Sequence, residues 1–525
     1  MESLLPGFPF DFSYDWRAVT AKAFVLFFLY LTVNVIYQLY FSPLSKLPGP
    51  KLAAVTLWYE IYYDVFKWGR YYVKIKEMHE KYGPIVRINP FELHVSDPSF
   101  IDTLYTRSAP RDKHAYMTGQ FGNPLVTFST DDHFHHRIRR AALNPFFSKQ
   151  RVLGLQDLIW THVEKLCGRL EEFKASERLL PSGNAFGCLT ADVIIEYSMG
   201  HQQNALDDPD FAPLFTQAAK KFASMGVFTK HLPWIHTVMR ALPQHWIAKA
   251  SPEYGAMLAF RYLNNARVRE VFDRKCKAGN GDADAKISRR RTIFDDLFDS
   301  ELPSEEKSLE RLSQESQLIV GAALDTTAHA LNTTLFHLLA TPSKLAKLKA
   351  ELGKTTPDRR THTPLPLLEN LPYLSAVINE GLRLSYGVSS RNARLAHSPL
   401  LYESYVIPAF TPVSMSAPFT HHDESVFPDS YTFIPERWLD SNGEFGGKTP
   451  DGRPLDRFLM SFGKGARQCA GMNLAKAEMY ITLTALVRRF DFELWESSRR
   501  DVDLVHDLFL PGVDRESKGV RVLVK

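Results

Sequence analysis

Long helical patterns and short, scattered strand patterns predict a mainly helical protein with one membrane helix near its N-terminus. The longest pattern runs from Leu309 to Ala340 without proline and repeats apolar and small residues at spacings of three and four. Amphipathic helical stretches fill much of residues 150–292, whereas alternating strand patterns are brief. The segment from Ala23 to Ser45 contains no charged residue.

Composition narrows the class of protein before any motif is considered. Of 525 residues, 45% are hydrophobic and 23% are charged, which allows a large core. The net charge of +4, from 63 basic and 59 acidic residues, comes without a basic stripe interleaved with aromatics, so we expect no nucleic-acid partner. The four cysteines are irregularly spaced, which predicts neither a disulfide framework nor a zinc site.

The first 52 residues predict a membrane anchor followed by a stiff connection. Residues 18–41 are long enough at 1.5 Å per residue to cross a bilayer, and too long for a secretory signal. A monotopic helix lying in the interface is the alternative. Prolines at 43, 48 and 50 predict a non-helical hinge over residues 42–52. We therefore divide the chain into an N-terminal segment (1–17), an anchor (18–41), the hinge (42–52) and one large domain (53–525).

Three short segments predict strands or loops around the helices. Ile85–Ile88 and Leu93–Val95 flank an Asn-Pro turn, which predicts a β-hairpin. The polar stretch 279–291 predicts an exposed loop. The tail 507–524 has a Pro-Gly turn and a later alternating segment, which predicts a second hairpin with its tip near Phe509 and Leu510.

A basic helix beginning at His133 and stopping near Pro145 carries three histidines, His133, His135 and His136. Such a group suggests a metal site, but the three do not share one helical face. We therefore do not predict that they bind a metal together.

The centre of the long helix, Gly321 to Thr327, combines small residues with two threonines and an aspartate. Small residues let a flat group approach a helix, and the hydroxyl of Thr326 can divert a backbone carbonyl and open the helix locally. The alternative is an ordinary core threonine bonded back to the preceding turn.

The strongest motif is Phe462 to Gly471, where Cys469 stands in a glycine-rich loop directly before an apolar helical stretch from Met472 to Phe490. The amides at a helix N-terminus favour a thiolate, and glycines allow close approach of a flat cofactor. This pattern predicts axial ligation of haem iron by Cys469. A buried structural cysteine in a turn is the alternative.

Glu380 and Arg383 form a Glu-x-x-Arg motif that says little alone, because Glu496 and Arg499 repeat it. The first copy is followed by Arg437 and then by the cysteine loop.

Together these segments resemble the cytochrome P-450 superfamily of haem-thiolate monooxygenases, of the membrane-bound microsomal type. Residues at five positions stand in the places of its haem-ligand loop: Phe462, Gly465, Arg467, Cys469 and Gly471. The resemblance covers roughly residues 43–525. It implies the cytochrome P-450 fold, mainly α with a small β-rich subdomain, in a single catalytic domain.

The resemblance also implies roles for individual residues. Cys469 would ligate the iron, Phe462 would shield the sulfur, and Thr326 with Asp325 would deliver protons during oxygen activation. Propionates would be neutralised by three arginines: Arg137, Arg394 and Arg467. Glu380, Arg383 and Arg437 would brace the fold beneath the haem, and residues 388–392 would line the substrate cavity. Two departures are His133 and Ala323, where the family usually has tryptophan and glycine.

The implied function is insertion of one oxygen atom from O₂ into an apolar small molecule, by hydroxylation or epoxidation. The implied cofactor is haem b, with electrons from NADPH supplied by a separate NADPH–cytochrome P-450 reductase. The implied location is a membrane, single-pass, in the endoplasmic reticulum with the catalytic domain in the cytosol. A haem-thiolate isomerase or dehydratase that does not use O₂, and a non-catalytic haem-binding membrane protein, remain alternatives.

Segments 40–44 and 47–50 resemble members from fungal secondary metabolism, and segments 144–148 and 384–388 resemble the trichodiene-oxygenase-like group. This likeness suggests a terpenoid or polyketide-derived substrate.

Overall fold

The computed structural model describes residues 16–278, 291–355 and 358–525, without the side chains of 276–278. Residues 1–15 and nearly all of the predicted loop 279–291 lie outside the described part. The helices are α1 (Trp16–Ile36), α2 (Lys51–Val55), α3 (Trp58–Ile61), α4 (Tyr71–Tyr82), α5 (Ile101–Leu104), α6 (Ala115–Thr118), α7 (His133–Leu143), α8 (Lys149–Leu153), α9 (Gln156–Ser176), α10 (Ser182–Met199), α11 (Leu214–Ser224), α12 (Gly226–Thr229), α13 (Trp234–Ala241), α14 (Gln244–Ala250), α15 (Pro252–Ala278), α16 (Ile293–Asp299), α17 (Leu309–Ala340), α18 (Pro342–Thr355), α19 (Leu365–Glu369), α20 (Pro372–Ser385), α21 (Ala417–His421) and α22 (Met472–Arg489).

The strands are short: β1 (Ile85–Arg87), β2 (Leu93–Val95), β3 (Arg111–Lys113), β4 (Leu180–Pro181), β5 (Arg394–Ala396), β6 (Leu400–Tyr402), β7 (Tyr405–Ile407), β8 (Pro412–Ser414), β9 (Phe492–Leu494), β10 (His506–Leu508), β11 (Leu510–Gly512) and β12 (Arg521–Val524). Five of them form a mixed sheet in the order β1-β2-β8-β5-β3. β1 and β2 pair antiparallel with Ile85 opposite Val95, which confirms the first predicted hairpin.

The tail differs in part from the prediction. β10 and β11 form a tight hairpin around Phe509, whose φ is +75°. β12 does not join them but lies between β4 and β9. It buries Val522 and Val524, and that alternate burial fixes its register against the helical core.

Helix α17 runs through the middle of the molecule and packs against α10, α20 and α22. Its bounds confirm the prediction, and it begins where the Ser308 side chain accepts a hydrogen bond from the Arg311 amide. Buried residues of α10 face it, and the Thr190 hydroxyl donates to the Leu324 carbonyl at 2.6 Å. This contact fixes the stretch of α17 that carries the predicted site.

A buried network around Glu380 holds the segment 430–438 against α20. The Glu380 carboxylate lies 2.7 Å from the Arg383 guanidinium and 3.2 Å from that of Arg437, and it accepts from the Trp438 indole at 2.9 Å. The second Glu-x-x-Arg copy forms no such pair, because Glu496 contacts Arg521 and Arg499 contacts Asp503. The predicted brace of Glu380, Arg383 and Arg437 is therefore present.

Helix α1 continues through a π-helical turn to Phe41, and together they form the one helix in the described residues that could span a membrane. Its mean hydropathy is 1.9, and none of its apolar window is buried. Its C-terminal end is fastened to the first sheet, because Arg87 donates to the Gln38 carbonyl at 2.8 Å and to the Gln38 side chain.

Candidate active site

A cavity of about 1110 Å³ lies between α17 and the loop that precedes α22. The cysteine loop, α7 and the end of α20 line one part of it, and the segment 120–128, α11, α13, α15 and α17 contribute to the rest. The tip of the β10–β11 hairpin enters it through Phe509 and Leu510, as the sequence predicts. Phe121 and Phe128 pack edge-on against Phe509 at this tip. The cavity is therefore large, mostly apolar and bordered by both predicted motifs.

A backbone hydrogen bond closes the cysteine loop, and the space around its glycines differs from one to the next. The Cys469 amide donates to the Phe462 carbonyl at 2.8 Å, which closes the loop. Gly465 has φ of +72°, and a Cβ there would lie 2.1 Å from the Tyr105 carbonyl oxygen, so only glycine fits. Gly465 does not line the cavity, whereas Phe462, Arg467 and Gly471 do. At Gly471 a Cβ would meet nothing within 4 Å.

The exposed surface of Cys469 faces the cavity. Burial in the protein raises the pKa of its thiol, while the amides of Gly471 and Met472 and the charge of Arg140 lower that pKa by less. The amides at the helix N-terminus therefore act in the direction that the sequence suggests, and burial opposes them. Coordination to a metal ion deprotonates a cysteine outright, so the thiolate form is expected once iron is bound.

Besides Lys464, which donates to the Asp456 carbonyl at 2.8 Å, the cavity wall at the end of the cysteine loop holds four cations without salt bridges: Lys113, Arg140, Arg394 and Arg467. Among the described residues, no carboxylate lies within 4 Å of any of these four side chains. Arg394 donates to the Ala393 carbonyl at 2.9 Å, and Lys113 donates to the Phe128 carbonyl at 2.6 Å. Burial lowers the pKa of all four side chains, that of Arg467 to about 10.

Buried cations are costly unless an anion compensates them. Arg467 donates to the carbonyls of Thr130 and Asp131 at 2.5 and 2.6 Å, yet its Nε has no hydrogen-bond partner. A group that carries two carboxylates, such as haem, would supply the missing negative charge. The residues present therefore fit haem: Cys469 would hold its iron, and the cations would hold its propionates.

The structure does not place Arg137 at this site. Arg137 is exposed and does not line the cavity, whereas His136 and Arg140 do. The spacing of a tryptophan and an arginine four residues apart fits His136 and Arg140 as well as His133 and Arg137. The orientation of α7, which buries His136, decides between the two registers. Burial lowers the pKa of His136 to about 2, so its imidazole is neutral.

The three histidines of α7 point to different partners. His133 accepts from the Arg111 amide at 3.3 Å, His135 contacts Glu306 at 2.6 Å, and His136 lines the cavity. They do not converge on one point, as the sequence predicts.

On the other wall, Thr326 lines the cavity and its hydroxyl donates to the Ala322 carbonyl at 2.9 Å. The hydroxyl is thus bonded back to the preceding turn and also borders the cavity. Asp325 does not line the cavity, and its carboxylate lies 3.9 Å from the Lys220 ammonium on α11. Gly321 offers open space, since a Cβ there would meet nothing within 4 Å.

The predicted cavity segment 388–392 is only partly in the wall. Val388 and Asn392 line the cavity. Ser389 and Ser390 turn away and donate to the Asp507 carboxylate at 2.8 and 2.6 Å. Arg391 also points away, into the ion pairs described below.

The model of the family described as cytochrome P450 matches residues 48–512. The chain belongs to the cytochrome P450 family. It is 44% identical over 507 residues to cytochrome P450 monooxygenase MO6277 of Ascocoryne sarcoides, covering 95% of this chain and 97% of that one. It is 42% identical to tryptophan 6-hydroxylase fscE of Fusarium equiseti, covering 93% and 94%. It is 36% identical to cytochrome P450 monooxygenase TRI4 of Trichoderma arundinaceum, covering 91% and 90%.

The crystal structure of a cytochrome P450 (CYP102L1) superposes with a TM-score of 0.70 at 18% identity, covering 91% of this chain and 99% of that one. This likeness confirms the predicted P450 fold. The protein is a haem-dependent P450 monooxygenase that uses O₂ and electrons from a redox partner. Neither alternative, the O₂-independent isomerase or the non-catalytic haem protein, is favoured by these relatives.

The sequence did not reveal three wall residues of this P450: Lys113, His136 and Arg140. Lys113 lies in β3 directly opposite Arg394 in β5, a pairing that no local pattern reveals. His136 escaped because the histidines before it offered a competing register. The signal that could have found His136 is the arginine four residues after it.

Proposed function

We propose that this P450 inserts one oxygen atom into an apolar small molecule, by hydroxylation or epoxidation, with haem b held by Cys469. The observation that carries the proposal is the meeting of Cys469, Thr326 and four unpaired cations in one cavity. Arg467, Arg394, Arg140 and Lys113 would hold the propionates. Phe462, whose carbonyl closes the loop on Cys469, would limit access of water to the sulfur.

Haem, when bound, supplies the iron at which O₂ is activated, and a thiolate ligand favours cleavage of the O–O bond. Thr326 would hold a proton at its hydroxyl beside that reaction, in the groove opened by Gly321 and Ala322. Asp325 would supply the proton from the opposite side of α17, where Lys220 keeps its carboxylate oriented. An O₂-independent enzyme would have no use for this pair.

The partner that supports the reaction is proposed to be NADPH–cytochrome P450 reductase. The domain division made from the sequence stands as part of the same proposal, with residues 18–41 as a single-span anchor in the lipid of the endoplasmic reticulum and residues 53–525 in the cytosol. The apolar helix to Phe41 supports the anchor. Residues 42–52 would act as the hinge.

The substrate is proposed to belong to fungal secondary metabolism, as a terpenoid or polyketide-derived molecule. The part of the cavity away from Cys469 is lined mainly by apolar side chains, which supports a substrate with an apolar body. Relatives named as a tryptophan 6-hydroxylase and as TRI4 have comparable identity to this chain, so the names of relatives do not choose between substrate classes.

The test is the absorbance spectrum of the purified holoprotein. Cys469→Ala is expected to abolish the red-shifted Soret band of the reduced CO complex, because that band requires the thiolate ligand. Cys167→Ala, a buried cysteine outside the cavity, is the matched control and should keep the band. An unchanged band in Cys469→Ala would reject the ligand assignment. NADPH consumption with added reductase then tests the electron supply.

A further inference from the structure

A second group of cations lines the cavity away from Cys469. Arg240 on α13 and Arg261 and Arg269 on α15 contribute to the wall. Arg240 and Arg269 are exposed and Arg261 is half-buried, so these residues border an opening to solvent, here called the arginine mouth. Glu310 at the start of α17 is the one carboxylate of the mouth, and it too is exposed. Three cations therefore face one carboxylate.

The arginines of the mouth lack counter-charges in the described part of the chain. No described carboxylate lies within 4 Å of Arg240, Arg261 or Arg269, and Arg240 donates only to the Gly122 carbonyl at 3.3 Å. Arg267, on the same helix, does not line the cavity and pairs with Glu270 at 3.1 Å. Helix α15 thus places a paired arginine outside the cavity and two unpaired ones at its wall.

An apolar part of the cavity wall separates the arginine mouth from Thr326. Asn265, one turn from both Arg261 and Arg269, accepts a hydrogen bond from Gln317 on α17 at 3.3 Å. Gln317 precedes Thr326 by nine residues, or roughly 14 Å along the helix. The cavity wall between Gln317 and Thr326 is mainly apolar. It includes Phe215, Leu258, Leu318 and Ile319.

Buried ion pairs hold two segments of the cavity wall, next to Thr229 and Asn392, against the segment around Glu60. Lys230, which ends α12, lies 2.9 Å from Glu60 and 2.7 Å from Asp64. Arg391 lies 2.6 Å from Glu60 and 2.9 Å from Glu92. All five side chains are at most 5% exposed. Parting these segments would separate buried charges, which is strongly unfavourable, so this side offers no easy entrance.

We propose that the substrate of this P450 is an amphipathic carboxylic acid whose carboxylate binds at the arginine mouth. The inference rests on the proposed function of the same cavity and narrows its substrate class. Arginine binds carboxylates through paired, charge-assisted hydrogen bonds, and three cations at an opening attract anions from solution. With the acid group held at the mouth, the apolar body of the substrate extends along α17 towards Thr326.

The test compares acids with neutral counterparts on the resting holoenzyme, by the change in haem absorbance on titration. The pairs are dodecanoate against dodecan-1-ol, and N-acetyltryptophan against its primary amide. At least one acid is expected to bind about tenfold more tightly than its neutral counterpart, the effect of one charge-assisted hydrogen bond. Added salt should weaken binding of the acid alone.

The variant Arg261→Gln/Arg269→Gln is expected to lose that tenfold preference while binding the neutral compound as before. The matched control is Arg267→Gln, which removes an arginine from the outer face of α15 and should change neither affinity. The inference is overturned if neither acid produces a spectral change, if neither binds more tightly than its counterpart, or if Arg267→Gln loses as much preference as the double variant.

The reduced CO spectrum separates this inference from the proposed function. A wild-type protein with the red-shifted band but without preference for acids contradicts the arginine mouth alone. A wild-type protein that binds haem without giving that band contradicts the proposed function itself.

Discussion

Several residues at the haem end of the cavity destabilise the fold when no cofactor is bound, and the same residues would bind haem. Arg394, Arg467 and Lys113 are cations held in a mostly buried wall, where burial lowers the pKa of each. Cys469 has its pKa raised by the same burial. Burying each of these groups costs free energy in the protein alone. An anionic cofactor that contains iron would compensate this cost. Haem binding should therefore contribute strongly to the stability of the fold.

Arg137 and Arg140 on α7 are alternative partners for a haem propionate, and a matched pair of variants distinguishes them. Arg140→Gln is expected to loosen haem, because it removes a cation from the cavity wall, and to raise the rate of haem loss to apomyoglobin about tenfold or more. Arg137→Gln changes an exposed arginine on the same helix and should leave that rate unchanged. Equal rates in the two variants would contradict the assignment to Arg140.

The hydroxyl of Thr326 gives a second test. Thr326→Ala is expected to uncouple NADPH consumption from product formation, because the hydroxyl at the cavity wall would no longer hold a proton. Product formed per NADPH, with a compound that the enzyme turns over, measures the effect. Thr333→Val, on the same helix but outside the cavity, removes a buried hydroxyl without a hydrogen-bond partner and should leave coupling unaltered. Normal coupling in Thr326→Ala would remove Thr326 from the proton path.

At the scale of elements, the sequence predicted what depends on local pattern. Helix α17 and the β1–β2 hairpin follow from periodicity and turn residues, and their bounds agree with the structure. The partner of β12 and the register of α7 depend on what each element packs against, so no local pattern decides them. The same limit applies to Glu-x-x-Arg: the copies at 380 and 496 are alike in sequence, yet only the first is buried among partners.

Those two copies can be compared directly. Glu380→Gln is expected to lower the free energy of unfolding by about 3–5 kcal/mol, because it leaves Arg383 and Arg437 buried without their carboxylate. Glu496→Gln changes a carboxylate that is 64% exposed, and its effect should stay within about 0.5 kcal/mol. Urea denaturation of the holoproteins measures both. If Glu380→Gln yields no folded protein, Glu496→Gln must still yield folded protein.

At the scale of the whole molecule, the apolar helix and the catalytic domain are joined by specific contacts as well as by the chain. The turn that follows α1 places Gln38 against Arg87, which is buried at the edge of the first sheet. Asn34 also reaches the Val55 carbonyl at 3.5 Å. Contacts with the catalytic domain therefore begin at Asn34, within the proposed anchor of residues 18–41.

Truncations on either side of Gln38 test the arrangement. Deletion of residues 1–36 removes α1 but keeps Gln38, so the protein is expected to leave the membrane fraction and retain its reduced CO band. Deletion of residues 1–41 also removes both hydrogen bonds that Arg87 donates to Gln38, which should lower the free energy of unfolding by about 1–3 kcal/mol relative to the shorter deletion. Fractionation and urea denaturation measure the two effects. Equal stability of both truncated proteins would show that Gln38 does not support the fold, and membrane retention of the shorter one would show that α1 is not the anchor.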